Sequence, residues 1–431
     1  MDRPPRIFAL VDINNCYVSC ERVFNPSLNN RPVILLSNND GCAVARSQEA
    51  KDLGIKMAVP YYQIKELVEQ HQVEVLSSNY ALYAEMSRRF MKILGEFVEP
   101  NEREIYSIDE CFLNLSSHAA LYDLNQFAQS IRNRVWQWLG LPICIGIGRT
   151  KTEAKMANHL AKKHQHFNGV CNLIEMDPCA LELLYQQTDI SEVWGVGRRQ
   201  REKLNQMNIY SVLDLALTSP EMIRKRFSVV LQRTVLELQG IPCIELEHQP
   251  EARKQIVSSR SFGHRVTELN DLKEAMSLYI QDAVIRLRQD RLLCGCVIAF
   301  VQSNPFDKQQ AYYNQSLSFA LPEPTDHLLT LSKIVVSMVD QLYQKDIVFK
   351  KCGVILTCLE PKAKHTYDIF TDMQQVQKEN QLMTSLEKIQ SKFGRSKLGL
   401  GASMLPYRHW NMSRDRLSQN YFQWDSLLEI K

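Results

Sequence analysis

The sequence predicts a multidomain α+β protein, and three observations carry that reading. Apolar runs of strand length alternate with helical stripes up to about residue 172. A mostly helical, polar stretch follows to Gly240, and a strand-and-helix pattern resumes at Ile256. The chain of 431 residues is also too long for one ordinary core and suggests about two to four domains. Hydrophobic residues at 45% and charged residues at 23% describe a globular chain rather than a disordered one.

Ile7–Val11 is a continuous apolar run that ends abruptly at Asp12. Val33–Leu36 is a second run, closed by the turn-rich Ser37-Asn38-Asn39-Asp40-Gly41. From Asn79 to Phe97 the spacing becomes helical, with Leu82, Met86, Phe90, Ile93 and Leu94 on one stripe. Ile105–Ile108 and Cys111–Leu115 read as short strands separated by Asp109-Glu110. A second amphipathic helix runs through Phe127, Ile131, Val135 and Leu139, and Pro142–Gly148 returns to strand. Residues 243–256 read as a linker. Beyond it Leu272–Arg288 is helical, and Cys294–Val301 and Gln315–Ala320 are strands. After Val354 the signal fades, and the polar, aperiodic residues 360–381 are expected to be a mobile tail.

No stretch approaches the roughly 20 apolar residues of a membrane helix, and the N-terminus lacks a signal-peptide pattern, so a cytoplasmic protein is expected. The 12 cysteines are scattered without a Cys-x-x-Cys pair, which favours free thiols in a reducing compartment over a zinc site.

Three acids stand out. Asp12 ends a fully apolar run, where a charge needs a partner or a cleft. Asp109 and Glu110 are adjacent, and a straight strand would send them to opposite faces. They share a cleft only if they occupy a turn or bulge, for which Asp-Glu is a poor choice of sequence. Carboxylates are what magnesium prefers. Taken singly, Asp-Glu reads first as a polar turn and Asp12 as a helix N-cap, and spacing alone does not bring residue 12 beside residue 109.

Asp12-Ile13-Asn14-Asn15-Cys16-Tyr17, Tyr106-Ser107-Ile108-Asp109-Glu110 and Trp194-Gly195-Val196-Gly197 together resemble the Y-family DNA polymerases. The closer resemblance is to their UmuC-like branch, the catalytic subunits of bacterial DNA polymerase V. Leu36–Cys42, Ser77–Tyr80, Lys155–Lys163, Asp189–Gly197 and Ser258–Gly263 extend it in family order from residue 6 to about 355. The resemblance implies a polymerase right hand: a palm of residues 1–18 and 78–172, and small fingers of 19–77. A helix-hairpin-helix thumb would span 173–242 and an α/β little finger 243–353, with 354–431 as a C-terminal tail.

It further implies error-prone translesion synthesis in the SOS response, transferring nucleotides from dNTPs to a primer on template DNA. Asp12, Asp109 and Glu110, with the backbone carbonyl of Ile13, would hold two Mg2+ ions. Tyr17 takes the place of the family's sugar-discriminating aromatic residue, though without the family it reads as a core tyrosine. Lys51 and Lys162 align with triphosphate contacts, and Arg46 is near enough to share that work. Three residues depart from the common pattern: Asn14, Cys16 and Cys111. Implied partners are a processed UmuD dimer and the RecA filament.

The formal net charge is only +3, so phosphate binding would rest on local patches. Gly195 and Gly197, followed by Arg198, Arg199, Arg201 and Lys203, form a candidate hairpin whose amides can approach a DNA phosphate. A second basic cluster contains Arg253, Lys254, Arg260, His264 and Arg265, and a third Arg286, Arg288 and Arg291. Thr366-Tyr367-Asp368-Ile369-Phe370 resembles a sliding-clamp-binding peptide, with Tyr367, Ile369 and Phe370 as its apolar contacts and Thr366 where glutamine is usual. The competing functions are a non-catalytic DNA-binding scaffold on a polymerase fold and a metal-dependent nucleotidyl cyclase. The three carboxylates argue against the first and the basic thumb-like region against the second.

Overall fold

The computed structural model describes residues 6–247, 252–394, 398 and 410–422. The chain divides into two compact units, one of Met1–Ser37, Gly41–Pro250 and Arg416–Lys431, the other of Asn38–Asp40 and Glu251–Asp415.

The first unit is organised on a five-stranded sheet in the order β5 (Arg103–Ile105), β6 (Glu110–Asn114), β1 (Phe8–Ile13), β7 (Ile143–Gly148), β8 (Val170–Asn172). β1 is central and antiparallel to both neighbours. Its period-two alternation sends Ala9, Val11 and Ile13 to one face, where they meet α1 (Cys16–Phe24), α4 (Tyr80–Leu94) and α5 (Leu124–Leu139). Phe8 and Leu10 face the other way, packing with Phe112 and with Ala154 of α6 (Lys151–Lys163). Asp12 has the parity of Phe8 and Leu10, so it lies on the α6 face. Two glycines let α6 come down on the sheet. A Cβ on Gly146 of β7 would sit 2.0 Å from the backbone nitrogen of Asn158, and one on Gly148 would sit 2.5 Å from the Glu153 Cβ.

Local capping sets the helix ends. The side chains of Asn79, Asp123 and Thr150 accept from the backbone nitrogens of Leu82, Gln126 and Glu153, starting α4, α5 and α6. α5 stops at Gly140, which takes φ 66°. A small three-stranded sheet of β3 (Ala43–Arg46), β2 (Val33–Leu36) and β4 (Glu74–Ser77) carries α2 (Gln48–Asp52) and α3 (Lys65–Gln70). Five helices then follow: α7 (Pro178–Gln187), α8 (Arg198–Asn205), α9 (Val212–Ala216), α10 (Pro220–Arg226) and α11 (Val229–Leu238).

In the second unit β11 (Asn314–Thr325), β10 (Leu292–Ser303), β12 (Phe349–Pro361) and β9 (Ile256–Val266) form one antiparallel sheet in that order. α12 (Leu269–Gln289) and α13 (Leu328–Leu342) pack their buried residues into its core. α14 (Met373–Phe393) adds Met383 to that core.

Two sequence expectations need correction here. The tail was expected to begin at 354, but Val354 lies in the middle of β12, paired with Ala299 and Ser258. Buried Cys352, Val354 and Leu356 alternate across it. Residues 360–381 are not aperiodic throughout, because α14 begins at Met373. That helix docks largely by polar contacts: Glu387 pairs with Arg288, and Asn380 accepts from Lys362 at 2.7 Å. A hydrophobic stripe is therefore a poor guide to it. All twelve cysteines are free. Among the described residues, no helix is long and apolar enough to cross a membrane.

Candidate active site

The β1–β6 register supplies what spacing could not. Asp12 lies directly opposite Glu110, and the two therefore share a sheet face. Asp109 is in the loop just before β6, and its carbonyl accepts from the Ile13 nitrogen at 3.0 Å. The turn is held by Glu110 itself, whose carbonyl accepts from the nitrogens of Tyr106 and Ser107 at 3.1 Å. Ser107 Oγ donates to Asp109 Oδ1 at 2.6 Å and accepts from the nitrogens of Asp109 and Glu110. Asp109-Glu110 thus occupies the end of a hairpin loop, as one shared cleft requires.

Opposite these acids, α6 presents a column of lysines. Lys162 Nζ is 2.6 Å from Asp12 Oδ1, Lys155 Nζ is 2.9 Å from Glu110 Oε1, and Lys151 Nζ is 2.7 Å from Glu104 Oε2. The spacing of four and then seven residues keeps all three on one helix face. Lys155 was not singled out as functional from the sequence, although its seven-residue spacing from Lys162 was a usable signal. It also lies 4.4 Å from the Tyr106 ring centroid and 5.1 Å from that of Trp194.

Asp12 is pushed up to about 6, first by burial, against the opposing pull of Lys162, with the charges of Asp109 and Glu110 adding to the rise. This corner of the molecule holds three carboxylates and draws cations. Among the described residues no three His, Cys, Asp or Glu side chains make a complete metal cage. The donor set nevertheless fits Mg2+, which needs only one or two carboxylates and takes its remaining ligands from water and phosphate. Lys162 and Lys155 show that Asp12 and Glu110 each accept a cation.

A cavity of about 400 Å³ opens on this corner, lined among others by Asp12, Tyr17, Arg46, Lys51, Asp109 and Lys162. Asn15, in the left-handed region at φ 48°, starts α1 and accepts from Lys51 Nζ at 2.6 Å. Arg46 donates to the Ile55 carbonyl at 2.6 Å, while its buried Nε has no partner among the described residues. Lys51 is held below its usual value by burial first, then by the charges of Arg46 and Lys162. Three crowded cations at a cavity wall suit a polyanion. A neighbouring cavity of about 430 Å³ shares Asn15, Lys51 and Lys162 and is lined with amides and Arg132. The Tyr17 ring is half-buried against the core, stacked on Tyr83 with centroids 4.3 Å apart, and lines the cavity.

The other predicted residues lie elsewhere. Gly197 is the N-cap of α8, Gly195 takes φ 90°, and the Arg198 side chain is 91% exposed while paired to Glu202. In the second unit, Arg260 pairs with Asp282 at 3.2 Å and Arg265 is exposed on β9. Arg288 does not belong to an open basic face: it is half-buried and paired with both Asp326 and Glu387. The clamp-like peptide is split. Ile369 and Phe370 are 91% and 89% exposed, whereas Tyr367 packs edge-on to His365 beside a cavity of about 380 Å³.

Asp12 and Asp109 thus line one cavity together with Arg46, Lys51 and Lys162, and Glu110 lies opposite Asp12 on the neighbouring strand. Residues 11–159 match the impB/mucB/samB family, residues 253–369 its C-terminal domain, and residues 380–430 a domain of unknown function, DUF4113. The chain is 40% identical to Protein UmuC of Salmonella typhimurium, covering 99% of this chain and 100% of that one. It is 39% identical to Protein SamB of the same species, over 96% of this chain and 97% of SamB. DNA polymerase IV of Ureaplasma parvum is 25% identical over 85% of this chain and 98% of its own length. Among solved structures, a Y-family DNA polymerase chimera of Dbh and Dpo4 matches with a TM-score of 0.64 and 17% identity, over 82% of this chain and 99% of the chimera. An insertion ternary complex of Dbh DNA polymerase gives 0.53 at 16% identity, over 81% and 98%.

The chain belongs to the impB/mucB/samB family, the UmuC-like branch of the Y-family DNA polymerases. It is a DNA-directed DNA polymerase of translesion synthesis and SOS mutagenesis, on the mixed α+β right-hand fold expected from the sequence. The competing scaffold reading gains no support.

Proposed function

We propose that Asp12, Asp109 and Glu110, with the Ile13 carbonyl, form the catalytic centre of this polymerase and hold two Mg2+ ions. The observation that carries the proposal is the placement of Asp12 opposite Glu110, with Asp109 bonded through its carbonyl to Ile13. When bound, such ions acidify the primer 3′-hydroxyl and neutralise the departing pyrophosphate. The reaction joins the primer O3′ to the α-phosphorus of the dNTP as the bond to the bridging oxygen breaks. The chain's own part is positioning and charge. Arg46, Lys51 and Lys162 receive the triphosphate, and Lys162 exchanges Asp12 for phosphate oxygen as substrate enters. Tyr17 packs beneath the deoxyribose and excludes a 2′-hydroxyl.

The palm, fingers, thumb and little finger take residues 1–18 with 78–172, 19–77, 173–242 and 243–361, the last extended to the end of β12. Gly195, Gly197 and Arg198 grip a primer–template phosphate at the α8 N-terminus, and Arg260 and Arg265 contact the backbone from β9. Ile369 and Phe370 fit a clamp pocket. The protein acts in the cytoplasm, with a processed UmuD dimer and the RecA filament as partners.

The test is primer extension with Mg2+ and dNTPs, with and without those partners. Wild type extends the primer, and Asp109→Ala/Glu110→Ala lowers the rate by at least about 1000-fold, the scale of lost charge stabilisation. Extension at the wild-type rate in the double variant would refute the assignment.

A further inference from the structure

The last described residues of the chain belong to the first unit, and they touch the two helices that frame Tyr17. On α1, Tyr17 and Glu21 are four residues apart and so share a face. Tyr83 of α4 spans both. Its ring is stacked on Tyr17 at an interplanar angle of 14°, and its hydroxyl donates to Glu21 Oε1 at 2.7 Å. Tyr83 and Glu21 are 0% and 1% exposed. The second oxygen of Glu21 has no partner among the described residues, so Oε1 alone orients this carboxylate.

The tail supplies the other donor. Ser418 Oγ donates to Glu21 Oε1 at 3.0 Å and accepts from Asn79 Nδ2 at 3.0 Å. Asn79 is the residue that caps α4, four positions before Tyr83. On either side of Ser418 the segment is anchored. The Ser77 nitrogen donates to the Arg416 carbonyl at 2.9 Å, and Leu417 bridges to Ser77 in parallel. Tyr421 stacks on Phe24, the last residue of α1, at 4.5 Å, and the Arg89 guanidinium of α4 lies 4.7 Å from the Phe422 ring. Each contact ties α1, α4 or β4 to the same seven residues. A buried carboxylate that keeps only one donor is free to swing, and the Tyr83 hydroxyl would follow it.

We propose that Arg416–Phe422 is a positioning element for sugar selection: by stapling α1 to α4 through Glu21 and Asn79, it fixes the Tyr83 ring against Tyr17. The segment falls within the stretch that matches a domain of unknown function, to which this gives a role in the polymerase reaction. The proposal rests on the reading of Tyr17 as the sugar-discriminating residue.

The test is single-nucleotide incorporation by the full chain, comparing kcat/KM for a dNTP with that for its ribonucleotide. Ser418→Ala, Tyr421→Ala and the near-isosteric Tyr83→Phe are each expected to lower the discrimination ratio about 3- to 10-fold, the weight of one or two hydrogen bonds or ring contacts. The kcat for the dNTP stays within about twofold, because only positioning is touched. Ser418→Thr, which keeps the hydroxyl, restores the ratio. Tyr17→Ala serves as the reference and lowers the ratio further than any of them. A normal ratio in Ser418→Ala and Tyr421→Ala, with a collapsed one in Tyr17→Ala, overturns the tail's role alone. A normal ratio in Tyr17→Ala overturns the reading of Tyr17 and this proposal with it.

Discussion

Glu153 gives a prediction whose size follows from its surroundings. It lies in the first turn of α6, 9% exposed, on the helix that carries Lys155 and Lys162 to the carboxylates. Burial first, and then the nearby Glu237 charge, outweigh the hydrogen bonds it accepts, raising Glu153 from 4.5 to about 7. The folded state therefore holds a proton more tightly than the unfolded state. Stability from this group is fully present below about pH 4.5 and is lost as pH rises through about 7. From 4.5 to about 7, at roughly 1.4 kcal/mol per tenfold, the loss at high pH is on the order of 3 kcal/mol. Glu153→Gln keeps an oxygen for the Arg149 nitrogen, now 2.6 Å away, and never ionises. Thermal unfolding followed by circular dichroism at pH 5, 7 and 9 is the assay. At pH 5 the variant melts only about 2–3 °C above wild type. At pH 9 the variant melts higher by about 6 °C or more, taking about 2–4 °C per kcal/mol for a unit of this size. Parallel pH curves for the two proteins would refute the argument, since every other titrating group cancels between them.

Further predictions follow from the same structure. Glu237 is 0% exposed and accepts from the nitrogens of Thr152, Cys243 and Ile244 and from the Thr152 hydroxyl at 2.7–3.0 Å. Glu237→Ala strands those donors, and denaturant unfolding should register a loss of about 3–5 kcal/mol. Ile369→Ala/Phe370→Ala should abolish capture by the bacterial sliding clamp in a pull-down without changing primer extension in the clamp's absence. Equal capture would remove the peptide from consideration. Arg198→Ala/Arg199→Ala should weaken primer–template binding on every sequence alike and reduce the slope of log affinity against log salt by about 1–2. An unchanged slope would place the phosphate contact elsewhere.

Much of the candidate site's placement is legible in the sequence. The apolar run ending at Asp12 is a central strand, and the misfit of Asp109-Glu110 in a straight strand marked the loop where they lie. Residue types alone left Asp12 unconnected to that pair, because strand pairing across about a hundred residues carries no local signal. The Lys155 contact was within reach of helical spacing. α14 was missed for a different reason. Its sequence is rich in helix formers, but Val376, Met383 and Leu386 are widely spaced among polar residues, and it docks in part through Asn380 and Glu387. The Arg288 reading failed because a cluster of arginines says nothing about whether Asp326 and Glu387 already hold one of them. The docking of Ser418 on Glu21 joins residues 397 positions apart and was beyond any local pattern.

Asp12, Asp109 and Glu110 are proposed to act as one cation-binding centre. Mn2+ binding followed by electron paramagnetic resonance, with primer–template and a dNTP on a 3′-deoxy primer, tests this directly. Wild type is predicted to hold two ions per chain, and Asp109→Ala/Glu110→Ala to lose at least one of them while still binding DNA. Two ions held with equal affinity by both proteins would contradict it.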